Sequence, residues 1–151
     1  MKAHEIMVKE VYKVKASDTV RDVVERFIEH RISGLPVVND RNEIVGYVSD
    51  GDIMRYIGKH HDLIVDVVYY SAVFKGDDVE FEARAKELLD LNVMEIAKKK
   101  VMKAAWDEDI ESIAATLGNK KIKKLPVERN GVLAGIISRG NVIRETFRSL
   151  L

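Results

Sequence analysis

Apolar and polar residues follow one another along this chain in a pattern that occurs twice. In its first occurrence, three β-branched runs have the composition of short strands, and the last two flank the polar turn "NDRN". These predicted strands lie at 11–15, 35–39 and 43–49. Apolar residues with i, i+3, i+4 spacing predict an amphipathic helix over 19–30, with Ser17 or Asp18 as its cap. A second helix is predicted at 51–58, so the unit reads strand, helix, strand, strand, helix.

The same order of predicted elements returns about 90 residues later. Pro36 and Pro126 hold the same place in "SGLPVV" and "KKLPVE", where the first residue of a strand tolerates a missing N–H donor. After the hairpin the offset falls to 89, because the second copy has a shorter turn around Asn130 and Gly131, a strong hairpin signal. Such a long register indicates an internal duplication. Since neither copy can cover its own sheet, we predict an α/β (α+β) fold of two pseudo-symmetric β-α-β-β-α units packed face to face.

A segment without a counterpart separates the two copies. We predict a first unit at 1–57, an insertion at 58–92 and a second unit at 93–151. Within the insertion, "DVEFEARAKELLDL" at 78–91 has helical periodicity. The apolar stretch 62–74 fits either a helix or a strand, and its periodicity does not decide between them.

Composition restricts the classes of function. Basic and acidic residues balance at 25 each, so we expect neither nucleic acid nor a membrane as a partner. The chain has no cysteine, which excludes disulfides, thiolate nucleophiles and cysteine-based metal sites. Charges interrupt the first residues too often for a signal peptide, and the longest apolar stretch, at 67–74, is too short to span a bilayer. We therefore expect a cytoplasmic protein.

The candidate chemistry lies where the third strand of each copy meets the second helix. "GYVSDGD" at 46–52 and "GIISRGN" at 135–141 each contain Gly, two apolar residues and Ser, then two residues before Asp52 or Asn141. A helix N-terminus presents N–H groups to phosphate, and a short polar side chain can accept from ribose hydroxyls. In one copy alone, helix capping would explain these residue types. Their recurrence in both copies favours a binding site.

Together these features resemble a tandem pair of CBS domains, the arrangement called a Bateman module. The family's nucleotide signature is Gly, an apolar residue, any residue, Ser or Thr, two residues, then Asp or Asn. It is matched by Gly46, Ser49 and Asp52 in the first copy and by Gly135, Ser138 and Asn141 in the second. The phrases "ISGLPVV" and "IKKLPVE" are similar to the family's second-strand motif, and the resemblance covers about 1–57 and 92–150.

The resemblance implies two clefts, each built from the motif of one copy and the early strands of the other. In the first, Ser49 would meet phosphate and Asp52 the ribose, with an apolar wall for adenine and two lysines near the phosphates. That wall is Val101, Met102 and Ile122, and the lysines are Lys123 and Lys124. The second cleft would use Ser138, Arg139 and Asn141, the wall Val11, Tyr12 and Ile32, and Ser33 and Gly34 in place of the lysines. With fewer cations and an amide instead of a carboxylate, the second cleft should hold a charged nucleotide less strongly.

The resemblance also implies a regulatory function. We expect a non-enzymatic sensor that binds AMP, ADP, ATP or S-adenosylmethionine as its regulatory ligand, requires no other cofactor, and relays its state to an unidentified partner protein. We expect a homodimer as well, because the second helices carry apolar residues that need a partner surface. These residues are Ile53, Ile57, Val142 and Phe147.

The alternative is a dimeric interaction scaffold with vestigial, empty clefts. The chain contains no P-loop and no motif of a nucleophile with its base, so we expect no catalytic residues. The "HHD" run at 60–62 has no further ligands at the spacing of a metal site, so we expect no metal.

Overall fold

Each repeat folds into its own three-stranded sheet with flanking helices. The structure is a computed structural model that describes residues 1–58, 80–119 and 122–151, together with the backbone of two strands in the insertion. In chain order the elements are α1 (Ala3–Ile6), β1 (Val14–Lys15), α2 (Val20–His30), β2 (Gly34–Val38), β3 (Ile44–Ser49), α3 (Asp50–Ile57), β4 (Leu63–Val67), β5 (Tyr70–Phe74), α4 (Phe81–Leu89), a 3₁₀ turn at Val93–Glu95, β6 (Ala104–Ala105), α5 (Ile110–Asn119), β7 (Lys124–Arg129), β8 (Val132–Ser138) and α6 (Arg139–Phe147).

The two sheets have the same topology. β1 runs parallel to β2 and β2 antiparallel to β3, and β6, β7 and β8 repeat this arrangement. Both middle strands shift register at equivalent places, after Val37 and after Val127. The turn residues Asn130 and Gly131 have φ angles of 53° and 81°, as a two-residue hairpin turn requires. The predicted pair of β-α-β-β-α units is confirmed, although β1 is shorter than the predicted strand at 11–15.

Thr19, and not Ser17 or Asp18, caps α2. The carboxylate of Asp22 accepts hydrogen bonds from the Thr19 backbone N–H at 3.0 Å and from the Thr19 hydroxyl at 3.2 Å. Asp18 is used elsewhere, because its carboxylate accepts from the backbone N–H of Lys15 at 2.8 Å and closes the turn after β1. The predicted cap is therefore wrong, and the spacing of Thr19 from an acidic residue three positions later is the signal for the observed one.

The insertion contributes a hairpin and a helix. The backbones of β4 and β5 pair in antiparallel fashion from Leu63 opposite Phe74 to Val67 opposite Tyr70, so the ambiguous stretch forms strands. Helix α4, shorter than the predicted 78–91, packs against α2 and α3 and buries Leu88 in the core of the first repeat.

Crossing segments lie at the start of each repeat and pack into the core of the other repeat. We define them as residues 1–8 and 91–98. From the first, Ala3 and Ile6 are buried with Ile113 of the second repeat. From the second, Val93 is buried with Leu35 of the first repeat. Each hydrophobic core therefore contains residues from both halves of the chain.

Backbone pairing holds the crossing segments in place. Val8 and Ile136 exchange two hydrogen bonds, at 2.9 and 3.0 Å. Tyr47 and Lys98 do the same, at 3.0 and 2.9 Å. Positions 8 and 98 differ by the 90-residue offset and positions 47 and 136 by the 89-residue offset, so the two crossings are equivalent. The duplication thus repeats the crossing as well as the sheets.

The apolar residues predicted to face a partner on the second helices are mostly buried. Ile53 is 8% exposed and belongs to the first core, and Ile57 and Val142 pack against the two cores. Of the predicted set, Phe147 is exposed. The exposed apolar residues of these helices also include Met54 at 57% and Ile143 at 58%, which are equivalent positions of the two repeats.

Gly135→Ala should destabilise the protein. A Cβ at this position would lie 2.8 Å from Cγ of Met7 and 3.0 Å from the carbonyl oxygen of Val8, so the crossing segment would have to shift. We expect a loss of about 1–3 kcal/mol in the free energy of unfolding, measured by urea denaturation. Gly118→Ala in α5 is the control, since in the described part of the chain no heavy atom outside the adjacent residues and the helix backbone lies within 4 Å of the added Cβ. It should gain about 0.5–1 kcal/mol. Wild-type stability of Gly135→Ala would contradict the close crossing.

Candidate functional site

Two cavities lie between the repeats at equivalent positions. The first has a volume of about 300 Å³ and the second of about 280 Å³. Both volumes are at the lower end of the range for small-molecule sites. Each cavity is lined by residues of both repeats, with the motif at the end of β3 or β8 on one side and the start of the other repeat opposite.

The first cavity brings together most of the residues that the sequence assigned to the first cleft. Those that line it are Ser49, Val101, Met102, Ile122, Lys123 and Lys124. A motif hydroxyl, an apolar wall and two ammonium groups therefore surround one space. This combination can hold a flat apolar group at one end and an anionic group at the other.

Asp52, the predicted ribose contact, is not among the residues that line this cavity. Its side chain is buried, and one carboxylate oxygen accepts hydrogen bonds from the Ser49 backbone N–H at 2.9 Å and the Ser49 hydroxyl at 3.2 Å. The other carboxylate oxygen forms an ion pair with Arg55. The carboxylate thus caps α3 and holds a guanidinium, and its contact with a ribose stays a prediction.

Sequence reasoning missed several residues of the first cavity. Tyr47 and Asp50 come from the motif itself, and Lys98 and Lys100 come from the crossing segment and the residues after it. Ser33, assigned to the second cleft, lines the first cavity. The 90-residue register contained a signal for the two lysines. They stand just before Val101, a predicted adenine-wall residue, as their counterparts stand just before Val11 in the other copy.

The second cavity contains six of the residues assigned to it from the sequence, Gly34 and five others. The five others are Val11, Tyr12, Ile32, Ser138 and Asn141. Gly34 and Lys124 line both cavities, since they begin β2 and β7 directly opposite Ser49 and Ser138. Arg139 is directed elsewhere: it donates to the carbonyl oxygens of Ile122 at 2.8 Å and Leu117 at 2.7 Å, at the end of α5.

Arg144 supplies the second cavity with a cation that sequence reasoning missed. It is the counterpart of Arg55, which is held by the carboxylate of Asp52. Asn141 caps α6 through its side-chain oxygen, which accepts from the Ser138 N–H at 2.8 Å and hydroxyl at 2.9 Å. Because an amide has no net charge, it does not form the ion pair that holds Arg55. A Cβ added at Gly140 would lie 3.1 Å from a guanidinium nitrogen of Arg144, and one added at Gly51 would lie 3.3 Å from a guanidinium nitrogen of Arg55, so the two side chains keep equivalent positions with and without the ion pair.

Comparison with known proteins identifies the family. Two segments, 3–59 and 93–147, match the family model of the CBS domain. The chain belongs to the CBS-domain family. The uncharacterised protein MJ1426 of Methanocaldococcus jannaschii is 30% identical over 147 residues, which cover 92% of this chain and 87% of that protein. The chloroplastic CBS-domain protein CBSX2 of Arabidopsis thaliana is 29% identical over 141 residues, 89% of this chain but 58% of that protein.

Solved structures share the arrangement of the CBS pair. The crystal structure of CBSX2 in complex with AMP has a TM-score of 0.74 and 25% identity, covering 99% of this chain and 98% of that one. The CBS domain pair of protein MJ0100, solved with 5-methylthioadenosine and S-adenosyl-L-methionine, has a TM-score of 0.70 at 17% identity, with coverage of 99% and 98%. At 17% identity, the likeness to MJ0100 shows a shared fold. The predicted tandem CBS pair is confirmed.

Among the described residues of this CBS pair, no group of three or more His, Asp or Glu side chains is placed to hold a metal ion. The "HHD" run at 60–62 lies outside those residues. No helix in the described part of the chain is long and apolar enough to cross a membrane.

The phenol of Tyr47 is the most perturbed acid of the first CBS cleft. Burial raises the pKa of Tyr47 to about 12, with a further contribution from the negative charge of Asp50. Its ring lies against Gly34, where an added Cβ would be 2.5 Å from the hydroxyl oxygen. A residue with a side chain at that position would displace the ring. The cleft therefore keeps this hydroxyl neutral at an alkaline pH at which an ordinary tyrosine ionises.

Tyr47→Phe should reduce the loss in the free energy of unfolding at alkaline pH. The folded protein binds the phenol proton more tightly than the unfolded chain, whose tyrosine titrates near pH 10. This stability is complete below pH 10 and is lost as the pH rises through 12, with a total of about 2–3 kcal/mol. Urea denaturation between these pH values should show a steeper decline for wild type than for Tyr47→Phe. The control Tyr12→Phe, at an exposed position, should follow wild type. Parallel declines of wild type and Tyr47→Phe would contradict the burial effect.

Proposed function

We propose that this CBS pair is a non-enzymatic regulatory module that binds an adenosine-containing ligand, such as AMP, ADP, ATP or S-adenosylmethionine, between its repeats. The observation that carries the proposal is the first cavity, where Ser49 of one repeat and an apolar wall with lysines of the other surround one space. The AMP complex of CBSX2, which is 25% identical over nearly the whole chain, supports the ligand class.

Each group of the ligand has a partner of suitable chemistry in this proposal. The adenine packs against Val101, Met102 and Ile122, and the phosphate meets the Ser49 hydroxyl and the lysines. The ribose is held by the carboxylate of Asp52. Because the ligand touches both repeats, its binding free energy depends on their relative position, and a partner protein can read the resulting shift between two arrangements.

Nucleotide binding should raise the melting temperature of the protein. A ligand that binds the folded state alone stabilises it by RT ln(1 + [L]/Kd), which is about 2.7 kcal/mol when the concentration is one hundred times Kd. Thermal unfolding with AMP, ADP, ATP and S-adenosylmethionine, with GMP and GTP as controls for the base, measures this effect. If none of the adenosine compounds shifts the transition, the alternative of a scaffold with empty clefts is favoured.

Asp52→Ala should weaken AMP binding by about 1–3 kcal/mol, the cost of leaving a hydroxyl of the ligand without its partner. Asp22→Ala is the matched control, because Asp22 caps α2 with hydrogen bonds to Thr19 of 3.0 and 3.2 Å, nearly the same as those of Asp52 to Ser49. Both variants should lose about 0.5–2 kcal/mol of stability with their caps. Calorimetry then separates the roles: equal AMP affinity of Asp52→Ala and wild type would mean that Asp52 is a cap alone.

We further propose that two CBS pairs form a homodimer through α3 and α6. Met54, Ile143 and Phe147 are exposed apolar residues on these two helices. Covering them with a second copy removes this surface from water. Sedimentation at micromolar concentrations should give twice the mass of one chain for wild type. Met54→Asp with Ile143→Asp should give the mass of one chain, and a monomeric wild type would refute the dimer.

A further inference from the structure

We infer that the first cleft selects an adenosine nucleotide with two or more phosphates, ADP or ATP in preference to AMP, and that Lys98 and Lys100 provide this selectivity. The inference rests on the proposed function, whose ligand class it narrows. It assigns a binding role to two lysines outside the family's sequence signature.

Four lysines line the first cavity, and their charge exceeds what one phosphate can match. They are Lys98, Lys100, Lys123 and Lys124. Within the described residues, none of the four is in an ion pair with a carboxylate. A phosphate monoester carries a charge of about −1.5 to −2 at neutral pH, so AMP together with the carboxylate of Asp50, which also lines the cavity, leaves about one of the four positive charges unmatched. A diphosphate or triphosphate chain extends further and carries enough negative charge for all four.

The second cavity shows that these lysines are not a requirement of the fold. At the 90-residue offset, Val8 corresponds to Lys98 and Glu10 to Lys100. Val8 and Glu10 line the second cavity as the lysines line the first. The same backbone therefore presents an apolar and an acidic side chain in one cleft and two cations in the other.

The backbone holds Lys98 close to the motif. Its N–H and carbonyl groups pair with those of Tyr47 at 2.9 and 3.0 Å, and Tyr47 is two residues before Ser49 on β3. The lysine therefore starts from a fixed position beside the phosphate-binding serine. A side chain whose backbone position is fixed in this way loses less entropy when it binds an anion.

Two N–H groups at the start of α3 already have partners. The Asp50 N–H donates to the carbonyl oxygen of Ser33 at 2.8 Å, and the Gly51 N–H donates to the Asp50 carboxylate at 2.8 Å. The helix terminus thus has fewer donors for an extended anion than its position suggests. Additional phosphates must find their donors among the lysines of the opposite repeat and the crossing segment.

The test compares AMP, ADP and ATP by calorimetry, with a metal chelator present so that the phosphates keep their full charge. In wild type, ATP should bind at least about tenfold more tightly than AMP, since one additional charged hydrogen bond has this effect on Kd. The double variant Lys98→Met with Lys100→Met should lose at least about tenfold in ATP affinity and less than about threefold in AMP affinity. The matched control is Lys99→Met, which removes a neighbouring exposed lysine that does not line the cavity and should leave both affinities unchanged.

Each other outcome overturns the inference in an identifiable way. Equal affinity of wild type for AMP and ATP would refute the selectivity and leave the proposed function intact. Equal losses of AMP and ATP in the double variant would show that Lys98 and Lys100 do not contact the added phosphates. An ATP loss in Lys99→Met as large as in the double variant would assign the effect to general charge. If wild type binds none of the three while its thermal unfolding is cooperative, the proposed function fails together with the inference.

Discussion

The exchange of the crossing segments between the repeats is the constraint on which the rest of this structure depends. The pairs Val8–Ile136 and Lys98–Tyr47 bring the chain of one repeat against the motif strand of the other. Because the chain continues from each pair into the residues that line a cavity, the crossing also places the apolar wall opposite the motif. The same crossing therefore determines both the residues that share each core and the position of each cleft. A change in the angle between the repeats would alter both clefts together, which is the coupling that a regulatory module requires.

The two clefts show how a duplicated backbone acquires different chemistry. In the first, Asp52 holds Arg55 in an ion pair, and in the second, Asn141 performs the same capping without charge. Arg144, the counterpart of Arg55, lines the second cavity. The change from carboxylate to amide removes a negative charge beside a guanidinium that keeps its position, and it thereby alters the electrostatics of the cleft.

Helix capping and ligand binding make use of the same residue types, and local geometry does not separate them. Ser49 with Asp52 and Thr19 with Asp22 form nearly the same hydrogen bonds at the starts of α3 and α2. Ser49 differs in its location, since it also lines a cavity opposite the second repeat. A motif of this kind is thus best interpreted from what faces it across the fold.

Local signals in the sequence determined the duplication, the order of the elements and the hairpin turn at Asn130 and Gly131. The resemblance to CBS pairs added most of the residues at the two cavities. Periodicity, the φ preference of turn residues and capping are properties of short windows, so they can be recognised without a structure. The burial of Asp52, the direction of Arg139 toward α5 and the arrival of Lys98 and Lys100 at the first cleft depend on contacts with the other side of a packed fold. Only the tertiary structure decided them, because the partner of a buried charge or the space that a long side chain enters is set by residues far away in the chain.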